Sequence, residues 1–161
     1  VAGRTARRGA RAVAGEQGPV LGDLLCFSLY TASRAVTRAY GPVLAELGLT
    51  YPQWVTMVAL WESAEPLSVG ELGRRLHLDS GTLTPLLKRL EADGLVTRTR
   101  DLADERRVLV AVTPAGAALR KDACDVPARI AAAFGGDAGA ILALKRQLDQ
   151  LVEVVESSSP G

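Results

Sequence analysis

The sequence is poor in metal ligands, with two cysteines and one histidine among 161 residues. That set cannot supply a conventional four-ligand zinc site within one chain, and no motif calls for a cofactor. Long hydrophobic runs are also missing, so no stretch is expected to span a bilayer or bind one. The N-terminal arginines precede no apolar signal core, so secretion is not expected. The cysteines are therefore expected as reduced thiols in the cytoplasm. An excess of charge is missing too. The formal net charge is only +1, so any basic binding surface must be local and balanced by acids elsewhere. What is present is ordinary for a folded chain: 48% apolar and 23% charged residues, enough for one domain with a dimerisation element.

The most informative stretch runs from Pro66 to Thr113. Ser68-Val69-Gly70-Glu71 is a capping box. It opens a helix, SVGELGRRLH, with Val69, Leu72 and Leu76 on one face. Asp79-Ser80-Gly81-Thr82 is a second start, followed by Leu83, Leu86, Leu87 and Leu90 at helical spacing. Pro85 removes an N–H near the second turn and leaves the first residue of that helix open. Gly94 is the stop. LVTRTR and VLVAVT read as strands joined by the charged loop DLADERR. The fold class expected is mainly α with a small β-hairpin wing, a winged helix-turn-helix. Its second helix would point Ser80, Thr82, Thr84, Lys88 and Arg89 away from the leucines, towards phosphates and base edges of duplex DNA. The hairpin tip carries Asp104, Glu105, Arg106 and Arg107 and can place a guanidinium in a minor groove.

Around this core the chain reads as follows. Residues 1–19, with Arg4, Arg7, Arg8 and Arg11, have the composition of a disordered basic arm. From Val20 to about Tyr40 an apolar stripe predicts a helix, which Gly41-Pro42 breaks or ends before a short VLAELG helix. Thr50-Tyr51-Pro52-Gln53 is another capping box, and Trp54, Val58 and Trp61 read as core. Thr113-Pro114 starts a helix carrying Cys124 towards an interruption at Pro127. Asp137 caps a last helix whose Ile141, Leu144, Leu148, Leu151 and Val155 form a regular seam with no obvious partner in the chain. The N- and C-terminal helices, 20–48 and 114–156, are the expected dimerisation region. Residues 49–113 are the expected DNA-binding domain, and 157–161 a disordered tail. His77, before the turn, is given no metal or catalytic role.

The chain has only three tyrosines, Tyr30, Tyr40 and Tyr51, all in the segment that begins with Cys26. Phenols can donate hydrogen bonds to a thiolate while their rings keep its surroundings apolar. Cys26 can therefore be a peroxide-reactive thiol or a small buried hydrophobe, and the residues alone leave both open.

DSGTLTPLLKRLEADGLVTRTRDLADERRVLVAVTPAG resembles the DNA-binding core of the MarR family of dimeric winged-helix regulators. The wing signature DxRxxxVxLT is met from Asp104 to Thr113, with Val112 in place of Leu. From Leu21 to Arg129 the chain is similar to the organic hydroperoxide resistance repressor (OhrR) branch. That resemblance implies a repressor, not an enzyme, that senses organic hydroperoxides. Cys26 then matches the reactive cysteine, Tyr30, Tyr40 and Tyr51 its hydrogen-bonding partners, and Cys124 a resolving cysteine acting across the homodimer. A two-fold dimer implies an inverted-repeat operator with half-sites about 10 bp apart. Two other readings remain: a MarR-type regulator released by a small aromatic ligand, with structural cysteines, or a thiol peroxidase.

Overall fold

A computed structural model of the chain describes residues 18–135 and 137–158. The basic arm, apart from Gly18 and Pro19, and residues 159–161 of the tail lie outside the described residues. The chain divides between Val36 and Thr37 into two units.

In the first unit, Leu21–Asp23 forms one 3₁₀ turn and helix α1 (Leu25–Ala45) begins. Val20, Leu21 and Leu25 are exposed.

The rest of α1 belongs to the second unit, and here the structure differs from expectation. Gly41-Pro42 does not end the helix, which continues to Ala45. Pro42 removes only the hydrogen bond its N–H would give to the Arg38 carbonyl, and the next turn is held by Leu44, which is buried in the core. The stop is Gly48, at φ 68°. The Leu49 N–H returns to the Leu44 carbonyl and the Gly48 N–H to that of Ala45, the paired bonds of a left-handed glycine terminus.

Helix α2 (Tyr51–Trp61) starts on the expected capping box at Thr50. A two-residue strand, β1 (Leu67–Ser68), leads into α3 (Val69–Leu76), where Ser68 and Glu71 form the other box. Helix α4 runs from Ser80 to Ala92 with Asp79 as its cap. Pro85 therefore sits inside the helix, where it forgoes one hydrogen bond to Gly81. Strands β2 (Val96–Arg100) and β3 (Val108–Val112) form the hairpin, in register Val96↔Val112 to Arg100↔Val108. β1 adds to the other side of β3 through Leu67↔Val110 and Ser68↔Leu109, giving the order β1-β3-β2. This third strand was not expected, because two residues are too few to show alternation and Ser68 reads equally as a cap.

Leu72, Leu83, Leu87, Leu90, Val96 and Val110 are almost completely buried in one core. After it, α5 (Pro114–Asp122) and α6 (Val126–Ala133) are separate helices. Cys124, expected within a helix, lies in the turn between them. Pro127 has no N–H for the Ala123 carbonyl, which weakens any continuation of α5, and the proline is accommodated in the first turn of α6. Helix α7 (Ala138–Ser158) opens with the Ala140 N–H on Asp137 Oδ1 at 3.0 Å and includes Ser157 and Ser158, which were expected to fray. Leu144, Leu148, Val152 and Val155 on it are exposed. No single helix among the described residues is long and apolar enough to cross a membrane.

One close approach locks the wing to α5. The Thr113 hydroxyl donates to the Gly94 carbonyl at 2.6 Å and accepts the Gly116 N–H at 3.0 Å. Trp61 Nε1 donates to the Gly116 carbonyl at 2.9 Å. A Cβ on Gly116 would fall on the Leu95 carbonyl oxygen and 3.0 Å from Val112 Cγ1. Gly116→Ala is expected to destabilise the fold by about 3 kcal/mol through overpacking, read as a lowered urea midpoint with an unchanged slope.

Candidate nucleic-acid interface and thiol sites

Helix α4 presents two chemically distinct faces. Leu83, Leu86, Leu87 and Leu90 are buried, while Ser80, Thr82, Lys88 and Arg89 are exposed and Thr84 is half-buried. Asp79 anchors the start: Oδ1 accepts the Thr82 N–H at 2.8 Å and Oδ2 accepts the Thr82 hydroxyl at 2.9 Å. These bonds hold the Asp79 carboxyl below its usual range, the backbone bond most strongly. The negative charge also suits the helix N-terminus.

The wing is held to α4 by a contact the sequence reading missed. Arg98 on β2 gives Nε and Nη2 to Glu91 Oε2 at 2.9 and 2.7 Å, and its backbone N–H goes to Glu91 Oε1 at 3.1 Å. The Arg98 guanidinium lowers the Glu91 carboxyl. Opposite charges seven residues apart were visible in the sequence, but only the reversal at Gly94 lets them meet.

At the tip, Asp104 shapes the loop. Its Oδ1 accepts the Arg106 N–H at 3.1 Å and its carbonyl the Arg107 N–H at 2.9 Å. Arg107 faces Glu71 at 3.6 Å and Asp101 at 3.8 Å, so two carboxylates already share its charge. Arg106 is exposed and its guanidinium makes no ion pair among the described residues. Arg74, absent from the sequence-based candidates, joins Arg98, Arg106, Arg107, Glu71 and Thr84 around a cavity of about 550 Å³ between α3, α4 and the wing. Glu71 is lowered first by its hydrogen bonds from Ser68 and then by Arg107 and Arg74.

His77 ends α3 in the left-handed conformation, φ 51°, a place more often taken by glycine. The Leu78 N–H returns to the Gly73 carbonyl at 2.9 Å. The His77 ring Nδ1 lies 2.8 Å from Glu156 Oε1 of α7.

Both thiols are free and exposed. In the first unit Cys26 lies one helical turn before Tyr30. The Tyr30 hydroxyl accepts from Arg34 Nη1 at 2.8 Å, and the Arg34 guanidinium stands 5.5 Å from the ring centroid. Accepting from a cation strengthens the phenol as a donor. In the second unit Tyr40 and Tyr51 meet edge to face at 5.0 Å. Burial, then Tyr51, pushes the Tyr40 phenol up. Cys124, at the α5–α6 turn, precedes Arg129, whose guanidinium binds both oxygens of Glu46 at 2.8 and 2.7 Å.

Residues 38–122 match the family model described as transcriptional regulator SarA/Rot. Over 138 residues, 86% of each chain, the protein is 44% identical to the organic hydroperoxide resistance transcriptional regulator of Bacillus subtilis. The chain belongs to the MarR-type winged-helix transcriptional regulators. A MarR family regulator from Rhodococcus sp. RHA1 superposes with TM-score 0.71 at 29% identity, covering 83% of this chain and 94% of that one. The structure of reduced AbfR bound to DNA gives 0.67 at 31% identity, covering 84% and 96%. AbfR, from Staphylococcus epidermidis, is also matched in a disulfide-formed structure, with TM-score 0.56, 33% identity, and 82% and 92% coverage. As a MarR-type regulator the protein is not an enzyme, which removes the peroxidase reading.

The lowered carboxyls give a pH dependence with a definite sign. A folded-state value below the unfolded one adds stability that is present above the unfolded pKa, about 3.9 for Asp. That stability is lost as pH falls through the folded value. Asp79→Asn keeps a capping acceptor but removes this titration. Denaturant midpoints measured downward from about pH 4 are expected to fall less steeply in Asp79→Asn than in the unmodified protein.

Proposed function

We propose that the protein is a homodimeric repressor that leaves its operator when an organic hydroperoxide oxidises Cys26. The observation carrying DNA binding is the arrangement of α4 and the wing: a leucine face held inward, a hydroxyl and lysine face outward, and beside it an Arg106 with no ion pair among the described residues. Ser80, Thr82, Thr84, Lys88 and Arg89 would meet the major groove, and Arg106 the minor groove. Arg107 and Asp104 would support the wing more than touch DNA. The exposed apolar seam of α7 is the natural dimer surface, and the regions 20–48 and 114–156 are assigned to dimerisation.

The redox step balances as follows. The Cys26 thiolate attacks the terminal peroxide oxygen; the O–O bond breaks, the alkoxide leaves and takes up a proton, and sulfur becomes a sulfenic acid. The Cys124 thiolate of the partner subunit then attacks that sulfur. Hydroxide leaves, is protonated to water, and an intersubunit disulfide forms. Tyr30, Tyr40 and Tyr51 are assigned to the peroxide pocket, as phenol donors to the thiolate and as its apolar walls. Exposure of both cysteines and the B. subtilis relative's name support this reading, as does the existence of reduced, DNA-bound and disulfide-formed AbfR structures. Repression depends on the oxidised dimer binding its operator less tightly than the reduced one.

A non-reducing gel after a stoichiometric organic hydroperoxide is expected to show a reducible covalent dimer, absent from Cys26→Ser and from Cys124→Ser. Cys26→Ser is expected to bind DNA and ignore peroxide. No covalent dimer, with Cys26 still a free thiol by mass, would overturn the sensor. Release of a protein lacking both cysteines by an aromatic ligand would point to a ligand-gated regulator.

A further inference from the structure

Leu102 is the most exposed large apolar side chain among the described residues, with a relative exposure of 102%; Val154 follows at 62%. A lone exposed leucine is ordinary on a soluble protein. Its setting here is not. Most other exposed apolar side chains fall on α7 or on the segment around Val20–Leu25, whereas Leu102 stands at the wing tip with Arg106.

The loop that carries it is held by its own backbone. The Ala103 N–H donates to Asp101 Oδ1 at 2.9 Å. The Asp101 N–H donates to the Arg107 carbonyl at 2.9 Å, and the Arg107 N–H to that of Asp104. Asp104 Oδ1 holds the Arg106 N–H. Two of the three loop acids are thus occupied with backbone groups, and Glu105 is the remaining one. The tip carries an isobutyl group and, four residues on, a cation in the same preorganised loop, so ordering it on a ligand gives up little entropy.

We infer that Leu102 is a DNA-contacting wedge, entering the minor groove beside Arg106 and setting a preference for easily deformed base steps. The inference rests on the DNA-binding reading above. A minor groove has deoxyribose C–H walls between two rows of phosphates, which matches an apolar tip flanked by a guanidinium. Leucine is among the side chains that pry base steps apart from that side, and pyrimidine–purine steps yield most readily. Removing apolar surface from water contributes affinity without releasing counterions, so Leu102 and Arg106 have separable signatures.

The test uses the reduced full chain. The unmodified protein selects from a pool of random duplexes about 30 base pairs long, enough for two half-sites and their flanks. The enriched duplex is then titrated at several KCl concentrations with the unmodified protein, Leu102→Ala and Arg106→Ala. Leu102→Ala is expected to bind roughly tenfold more weakly at every salt concentration, with an unchanged slope of log K against log salt. Its own selected pool is expected to lose enrichment in pyrimidine–purine steps where the wing falls. Arg106→Ala is expected to flatten the slope by about one. The Leu102 side chain is fully exposed among the described residues, so its loss leaves the core untouched and misfolding does not confound the comparison. Equal affinity of Leu102→Ala overturns the wedge, as does a loss of slope, while leaving the regulator reading intact. Failure of the unmodified protein to enrich any duplex overturns the DNA-binding reading itself, and the wedge with it.

Discussion

Burial of the α4 leucines is the constraint on which the rest of the DNA-binding half depends. Leu83, Leu87 and Leu90 are completely buried and Leu86 nearly so. Each contributes roughly 1.5–3 kcal/mol relative to exposure, an upper estimate because the unfolded chain already hides some of that surface. No hydrogen bond at the helix surface approaches their sum. With four leucines inward, the helix has one rotational setting. Thr82 and Lys88 then face outward because the opposite side is occupied, and Pro85 is tolerated because losing one backbone bond is small against that burial.

Carboxylates do much of the remaining positioning. Asp79 starts α4, Glu91 clamps β2 to its end through Arg98, Glu71 closes its own cap and reaches Arg107, and Asp104 folds the wing tip. This explains how a chain of net charge +1 can still present a cationic face. The acids are turned towards backbone N–H groups and selected arginines, while Lys88, Arg89 and Arg106 remain exposed. Charge balance in the composition therefore says little about the local field.

Legibility followed the range of the interaction. The capping boxes at Thr50 and Ser68, the Asp79 cap, the Gly94 stop and the two hairpin strands were all readable, since each depends on residues a few positions apart. The predicted break at Gly41-Pro42 failed because a proline's local penalty was outweighed by Leu44 in the core. Cys124 was placed in a helix because nothing before Pro127 signals a stop, yet the proline's effect reaches back to Ala123. The thiol residues were legible as residue types, and their connection to a regulator came through resemblance to a family, not through local geometry.

By itself the sequence determined most of the helices and the two hairpin strands, which face of α4 is apolar, and that a winged helix-turn-helix follows. These are consequences of periodicity, caps and backbone chemistry within a few turns. Only the tertiary structure decided that Leu67–Ser68 joins the sheet, that His77 takes a glycine's conformation and meets Glu156, and that Arg107 is shared between carboxylates while Arg106, among the described residues, is not. It also decided that Glu91 and Arg98 lock the wing. In each case the partner arrives through chain reversal or core packing, and a one-dimensional pattern carries no record of which distant charge will stand within 4 Å of another.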